Sequence, residues 1–302
     1  MPWVGAMAST NLFRNDWIEI GYEEDGSPSD PTVILLHGFP DSPRTWDGVR
    51  AALGGQRLHL LAPYQRGFGP SRVLSHEARG GSIAAMAQDV LDLADGLGLS
   101  RFMIVGHDWG SRAAHAAAVL SPDRVTGIIG LATPYGIDEA SANDRRRQAQ
   151  AYWYQWYFHT PQGRAALEDD RRGFCRYLWK AWAPHWEPSD HEYELTATAF
   201  DNLQFVDTVI HSYCQRHGNA PGIPHYARQE ALLATMPLIP VPAVVVRGSD
   251  DTVNLPGASE GTDRYYSHGI RRLTAHGAGH FIQREQPRLI ADLIRSEVRS
   301  RM

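Results

Sequence analysis

The chain has 302 residues, 43% of them hydrophobic and 21% charged, which fits one α/β domain with an insertion or two small domains. A net charge of −5 without a long Lys/Arg run excludes nucleic acid or an anionic membrane as the main partner. No stretch approaches the roughly 18 uncharged apolar residues of a membrane span, and two cysteines, Cys175 and Cys214, make no disulfide framework. Met1 to Thr10 has neither a basic start nor an apolar core of signal-peptide length, so a cytoplasmic enzyme with reduced, buried thiols is expected.

Trp17 to Tyr22 alternates in polarity and reads as an antiparallel strand at a sheet edge. Thr32 to Leu36 is a continuous apolar run that ends in His37-Gly38-Phe39-Pro40, a buried strand and its turn. Leu58 to Ala62 is a second such run, closed by Pro63. Ser82 to Leu97 carries Ile83, Met86, Val90, Leu91, Leu93 and Ala94 at helical spacing. Phe102 to Val105 is a third buried strand, Gly110 to Leu120 an Ala-rich helix, and Val125 to Leu131 a fourth strand. Strands alternating with helices at this spacing make βαβ units and a mostly parallel sheet with helices on both faces.

From Thr133 to about Pro240 the alternation stops, and the pattern is helical, aromatic and polar. Arg145-Arg146-Arg147 reads as a solvated helix face. Tryptophans and tyrosines crowd between Ala151 and Tyr193, either lining an apolar pocket or packing as a helical core. Pro242 to Arg247 resumes the sheet, Gly269 to Thr274 is a last strand, and Gln283 to Met302 a terminal helix. One α/β core, residues 1–134 and 236–302, is therefore expected around a helical insertion, residues 135–235.

The sharpest chemical signal is Gly106-His107-Asp108-Trp109-Gly110, between a buried strand and a small-residue helix. A strand-to-helix turn this tight forces its middle residue into a strained backbone conformation and leaves no room for side chains two positions either way. This is a nucleophile elbow with Asp108 where serine usually stands. The following helix directs its positive end at the carboxylate and helps keep it ionised. An aspartate before a helix is also a common N-cap.

An acid and a histidine should follow in that order. Asp251 is the fourth residue counted from Gly248, at the end of a strand, with Asp250 as its rival; turn or capping chemistry is the other use of such a residue. Gly277-Ala278-Gly279-His280-Phe281 puts His280 on a glycine-rich loop just before a helix. The backbone amides after His37-Gly38 and after the nucleophile, those of Phe39 and Trp109, are the expected oxyanion donors.

At these residues the chain resembles the α/β-hydrolase-fold epoxide hydrolases and haloalkane dehalogenases, and is closer to the former. The likeness runs essentially end to end, through His37-Gly38-Phe39-Pro40, Arg66-Gly67-Phe68-Gly69-Pro70-Ser71, Gly106-His107-Asp108-Trp109-Gly110 and Gly279-His280-Phe281. The resemblance implies a cis Phe39-Pro40 bond and makes the insertion a cap over the active site. It also implies two cap tyrosines that bind the epoxide oxygen. Tyr154 takes the first place and Tyr213 the second, although Ser212 stands where the pattern has a tryptophan; Tyr157 and Tyr226 are the rivals. His37, Trp109, Trp156 and Tyr157 are expected along the substrate pocket.

A carboxylate nucleophile suits displacement at an sp³ carbon, because water can then cleave the resulting ester. The expected reaction turns a small apolar epoxide and water into a vicinal diol, with no metal or organic cofactor, in a monomer or homodimer. A dehalogenase would use the same Asp108 and His280 but needs N–H donors for a halide. Trp109 offers one and a cap tryptophan (Trp153, Trp156, Trp179, Trp182 or Trp186) a second, whereas the Phe39 side chain, standing where an asparagine would serve, cannot donate, and the other dehalogenase placement of the acid would need a carboxylate near Leu131, where there is none. Arg112 matches by spacing one of two arginines that hold the substrate in fluoroacetate dehalogenases, but Trp109 occupies the other place, so a structural salt bridge is expected for Arg112. A binding protein that has kept the fold is a third reading, and the intact Asp108, Asp251 and His280 set counts against it.

Overall fold

Apolar runs without alternation form strands when both faces of a parallel sheet are covered. In the computed structural model, which describes residues 10–136, 141–255 and 261–301, three such runs are buried at every position: β3 (Thr32–Leu36), β4 (His59–Pro63) and β6 (Phe102–His107). Most of the stretch Met1 to Thr10 lies outside the described residues. The N-terminal part adds β1 (Asn11–Arg14), β2 (Ile18–Asp25), α1 (Asp47–Leu53), β5 (Arg72–Val73), α2 (Ile83–Gly96), α3 (Trp109–Leu120) and β7 (Val125–Leu131). After the insertion come β8 (Ala243–Gly248), β9 (Ile270–Ala275), α10 (Ile282–Glu285) and α11 (Pro287–Arg301).

The sheet order is β1-β2-β4-β3-β6-β7-β8-β9, with β5 against β2. From β4 to β9 the neighbours are parallel, while β1, β2 and β5 pair antiparallel. The segment expected at the edge lies one place further in, because β1 covers it with Asn11 opposite Tyr22. Alternate residues divide the core between the two faces. Ile34, Leu36, Phe102 and Ile104 pack with α2 and α3, whereas Val33, Leu35, Met103 and Val105 pack with α1 and α11. The terminal helix is broken at Gln286, where Pro287 begins α11 and cannot donate to a preceding turn.

Between β7 and β8 run α4 (Ala142–Ala151), α5 (Trp153–Tyr157), α6 (Pro161–Trp182), α7 (Asp190–Ala197), α8 (Phe205–Arg216) and α9 (Ala227–Ala234). Arg145, Arg146 and Arg147 are exposed on α4. Cys175 is buried, but Cys214, turned outward beside Tyr213 on α8, is only half-buried, so one of the two expected buried thiols is not. The helical layer docks onto the loop after β3. Trp179 Nε1 donates to Pro40 O at 2.7 Å, and Arg284 joins Asp41 (2.5 Å) to Glu192 of α7 (2.7 Å).

A second tie is Arg66, fully buried, which donates to both oxygens of Asp89 at 2.6 Å, to Ala78 O and Gly80 O, and to Tyr226 Oη at 2.7 Å. Removing one partner of a buried ion pair leaves the other charge uncompensated. Arg66→Met should therefore cost on the order of 3–5 kcal/mol in urea unfolding, and a loss below about 1 kcal/mol would assign the pair to solvated surface chemistry instead.

Candidate active site

β6 delivers His107 and α3 begins at Trp109, so the whole turn is Asp108, with φ 51° and ψ −112°. The flanking glycines are required by contact. A Cβ on Gly106 would lie 2.1 Å from Gly110 O, and one on Gly110 would lie 2.2 Å from Leu36 O. Asp108 stands at the N-cap position but its side chain makes no capping bond. Instead Oδ1 accepts the Phe39 N–H at 3.1 Å. Gly38 permits this approach, because a Cβ there would meet Asp108 Cβ at 2.5 Å. The Phe39-Pro40 bond is cis, as the resemblance implied. The Trp109 N–H, first in α3, has no carbonyl one turn back to serve.

β8 and β9 bring the acid and the histidine to the same edge of the sheet, outside the carboxyl ends of the strands. His280 donates Nδ1–H to Asp251 Oδ2 at 2.9 Å. The other oxygen of Asp251 accepts the Val253 and Asn254 N–H groups at 2.8 and 2.9 Å, which fixes the carboxylate. Asp250 turns away: Ser249 Oγ donates to it at 2.7 Å, and it lies 3.9 Å from the exposed His185. His280 Nε2 is buried with no hydrogen-bond partner among the described residues, 3.9 Å from Asp108 Oδ2. Burial opposes charge on the imidazole, but Asp251 and then Asp108 outweigh it and hold its pKa above the usual 6.5.

Tyr154 and Tyr213 meet at right angles with ring centroids 5.4 Å apart, and Tyr213 also packs on Phe39 (5.6 Å) and Trp109 (5.4 Å). Trp182 closes the group, 4.9 Å from Tyr154 and 5.2 Å from His280. Burial first pushes both phenols well above 10, with the Asp108 charge adding at Tyr154, and Tyr154 and then Asp108 adding at Tyr213, so both stay protonated donors. Tyr213 Oη has no hydrogen-bond partner among the described residues. Tyr154 Oη accepts Gln155 Nε2–H at 2.9 Å.

Other expected residues stand elsewhere. Trp156 is 43% exposed and donates to Ala149 O, because helical spacing turns it to the side opposite Tyr154. Tyr157 stacks on Phe174 at the outer side of α5. His37 braces the loop rather than lining a pocket: Nδ1–H donates to Gly38 O, and Nε2 accepts the Gln65 N–H at 3.0 Å. The Tyr226 hydroxyl is taken by Arg66. Arg112 makes no salt bridge among the described residues, contrary to expectation; burial and then the neighbouring Arg216 lower its pKa to about 10. From sequence Trp182 is only one of several tryptophans of the insertion, and Gln155 belongs to no motif. A polar residue directly after a pocket tyrosine was the available signal for it.

A family model described as the alpha/beta hydrolase fold matches residues 31–287. The chain belongs to the α/β-hydrolase family. Among its relatives, epoxide hydrolase A of Mycobacterium tuberculosis is 28% identical over 91% of this chain and 92% of its own. A structure from Klebsiella pneumoniae, described as that of a candidate epoxide hydrolase, superposes with a TM-score of 0.89 and 30% identity, over 96% of this chain and 97% of that one. A fluoroacetate dehalogenase from a Burkholderia species is 36% identical over 43% of this chain and 42% of its own. The family's order of nucleophile, acid and histidine is that of Asp108, Asp251 and His280.

Since Asp251 alone of the two neighbouring acids touches His280, Asp251→Asn should lower turnover by on the order of 10³-fold or more. Asp250→Asn should change it by less than about threefold. Steady-state kinetics of the two variants check this, and a larger loss at Asp250 would reverse the assignment.

Proposed function

We propose that the protein is an epoxide hydrolase, which opens an apolar epoxide to a vicinal diol through a covalent ester on Asp108. The observation that carries the proposal is the pair of buried, protonated tyrosine hydroxyls on the aromatic wall that surrounds Asp108. Relatives named epoxide hydrolases span nearly the whole chain, whereas the dehalogenase match covers less than half of it.

Asp108 Oδ1 is occupied by the Phe39 N–H, so Oδ2 is the attacking oxygen. It displaces the epoxide oxygen from carbon, while Tyr154 and Tyr213 hydrogen-bond that oxygen and one of them gives up its proton. A phenol whose pKa is raised toward that of an alcohol is matched to an alkoxide-like leaving group. Neither hydroxyl is ionised at neutral pH, so neither repels the carboxylate during attack.

The second step needs a base. Esterification removes the Asp108 charge, one of the three carboxylates (Asp251, Asp108 and Glu285) that raise the His280 pKa, so the imidazole loses protons more readily once the ester exists. Neutral His280 then takes a proton from water, which attacks Cγ of Asp108. The former Oδ1 becomes the oxyanion, stabilised by the Phe39 N–H and the Trp109 N–H. The ester bond breaks as protonated His280 returns its proton to the departing alkoxide, the diol leaves, and the carboxylic acid formed on Asp108 gives its proton, through water, to the tyrosinate, so that carboxylate, imidazole and phenol are all restored. Without His280 the ester would form and persist. No step calls for a metal or an organic cofactor.

A halide leaves as a stable anion and needs no proton, so the leaving group separates this reading from a dehalogenase. Tyr154→Phe with Tyr213→Phe should abolish diol formation, each single change costing on the order of 10²-fold, with the fold preserved by the phenyl rings. A panel of epoxides and haloalkanes, with diol and halide both measured, checks this. Near wild-type diol formation by the double variant would assign the oxygen to other groups, and halide release without diol would favour the dehalogenase.

A further inference from the structure

The two tyrosines are built differently behind the site. Gln155 is 1% exposed, and its Nε2–H donates to Tyr154 Oη at 2.9 Å. Its Oε1 in turn accepts Nε2–H of His217, also at 2.9 Å. His217 follows α8, half-buried, with its ring 4.2 Å from Trp156. Tyr213 is different: the two hydroxyls face each other closely enough for Tyr154 to raise the Tyr213 pKa by charge and by hydrogen bonding, but Tyr213 Oη makes no hydrogen bond of ordinary geometry among the described residues and no amide backs it.

Resting on the reading of Tyr154 as a donor to the epoxide oxygen, we propose that Gln155 and His217 are positioning residues that commit the Tyr154 proton to substrate and make Tyr154 the stronger acid of the pair. A buried amide can face a phenol in two ways. With Oε1 toward Tyr154, the phenol would donate into Gln155 and its proton would be lost to the site. With Nε2–H toward Tyr154, a phenol lone pair is filled and the hydroxyl hydrogen is left for the substrate. The second partner decides between them. His217 carrying its proton on Nε2 satisfies only an amide oxygen, which leaves the NH₂ group for Tyr154. Burial first, then Arg216, His159 and Arg112, lower the His217 pKa to about 4, so at neutral pH it has a single ring N–H to give. As the Tyr154 proton moves to the opening epoxide, charge grows on the phenol oxygen and the Gln155 bond strengthens with it. Tyr213 has no equivalent support.

The test uses the full chain carrying His280→Gln, in which the ester on Asp108 accumulates, with styrene oxide as substrate. Intact-mass spectrometry of quenched samples gives the rate of ester formation. Gln155→Met, similar in volume but unable to donate, should slow that rate by roughly tenfold, the worth of one hydrogen bond to a charge-developing oxygen. The loss should persist when Tyr213→Phe is added and vanish when Tyr154→Phe is added, because Gln155 acts only through the Tyr154 hydroxyl. A residue that merely fills the cap would give the same loss in both backgrounds. That result, or no loss at all, overturns the inference. Should Gln155→Met not fold, His217→Leu at its half-buried position gives the same readout, with an expected loss of roughly threefold confined to proteins that keep Tyr154. If the parent His280→Gln protein forms no ester, the epoxide reading itself falls and the relay with it, an outcome distinct from an ester that forms at an unchanged rate.

Discussion

The site depends on one backbone constraint. Asp108 holds a φ of 51°, a conformation costly for any residue with a Cβ, because β6 must end and α3 must begin within a single residue. Gly106 and Gly110 make this possible by letting the first turn of α3 and the end of β3 approach to distances that no side chain would allow. The same turn denies the carboxylate its ordinary use as a helix cap and directs it at the Phe39 amide. Loop, Asp108 and helix terminus thus form one unit, with the strain supported by packing on both sides of the sheet.

In the mechanism proposed above, the charges around that unit set the order of the two chemical steps. Asp108 and Asp251 flank one imidazole, and both raise its pKa. Alkylation would neutralise only Asp108, whereas Asp251, fixed by two backbone amides, would stay in place to hold the Nδ1–H. In the proposed mechanism the first step thereby prepares the base for the second. The aromatic wall of Phe39, Trp109, Trp182, Tyr154 and Tyr213 lowers the local dielectric, which strengthens each of these interactions.

Much of this was legible in the sequence because it rests on local rules. Apolar runs gave the parallel strands, and the Gly-x-Asp-x-Gly spacing gave the elbow; the order of Asp251 and His280 after it completed the set. The Asp251–Asp250 choice depended on a single residue of register at a strand end, and the structure brings Asp251 to His280. What the sequence hid was orientation within the helical layer. Trp156 and Tyr154 differ by two positions, yet one is exposed and the other buried. Short helices such as α5 give too few turns for periodicity to tell their faces apart. The hydrogen bonds by which His37 braces its loop, to Gly38 O and from the Gln65 N–H, are likewise invisible to sequence spacing. The edge strand β1 was missed because its four residues alternate only between half-buried and exposed, and the apolar Leu12 falls on the exposed side, so polarity carries no pattern.

The central claim is that a carboxylate oxygen, not water, makes the first bond to substrate. A single turnover in ¹⁸O-labelled water, with enzyme in excess over epoxide, tests it most directly. The diol should leave with an unlabelled oxygen taken from Asp108, and the label should appear in the peptide that contains Asp108. Labelled diol with an unlabelled Asp108 peptide would mean that water attacks the epoxide directly, and the covalent account would be wrong.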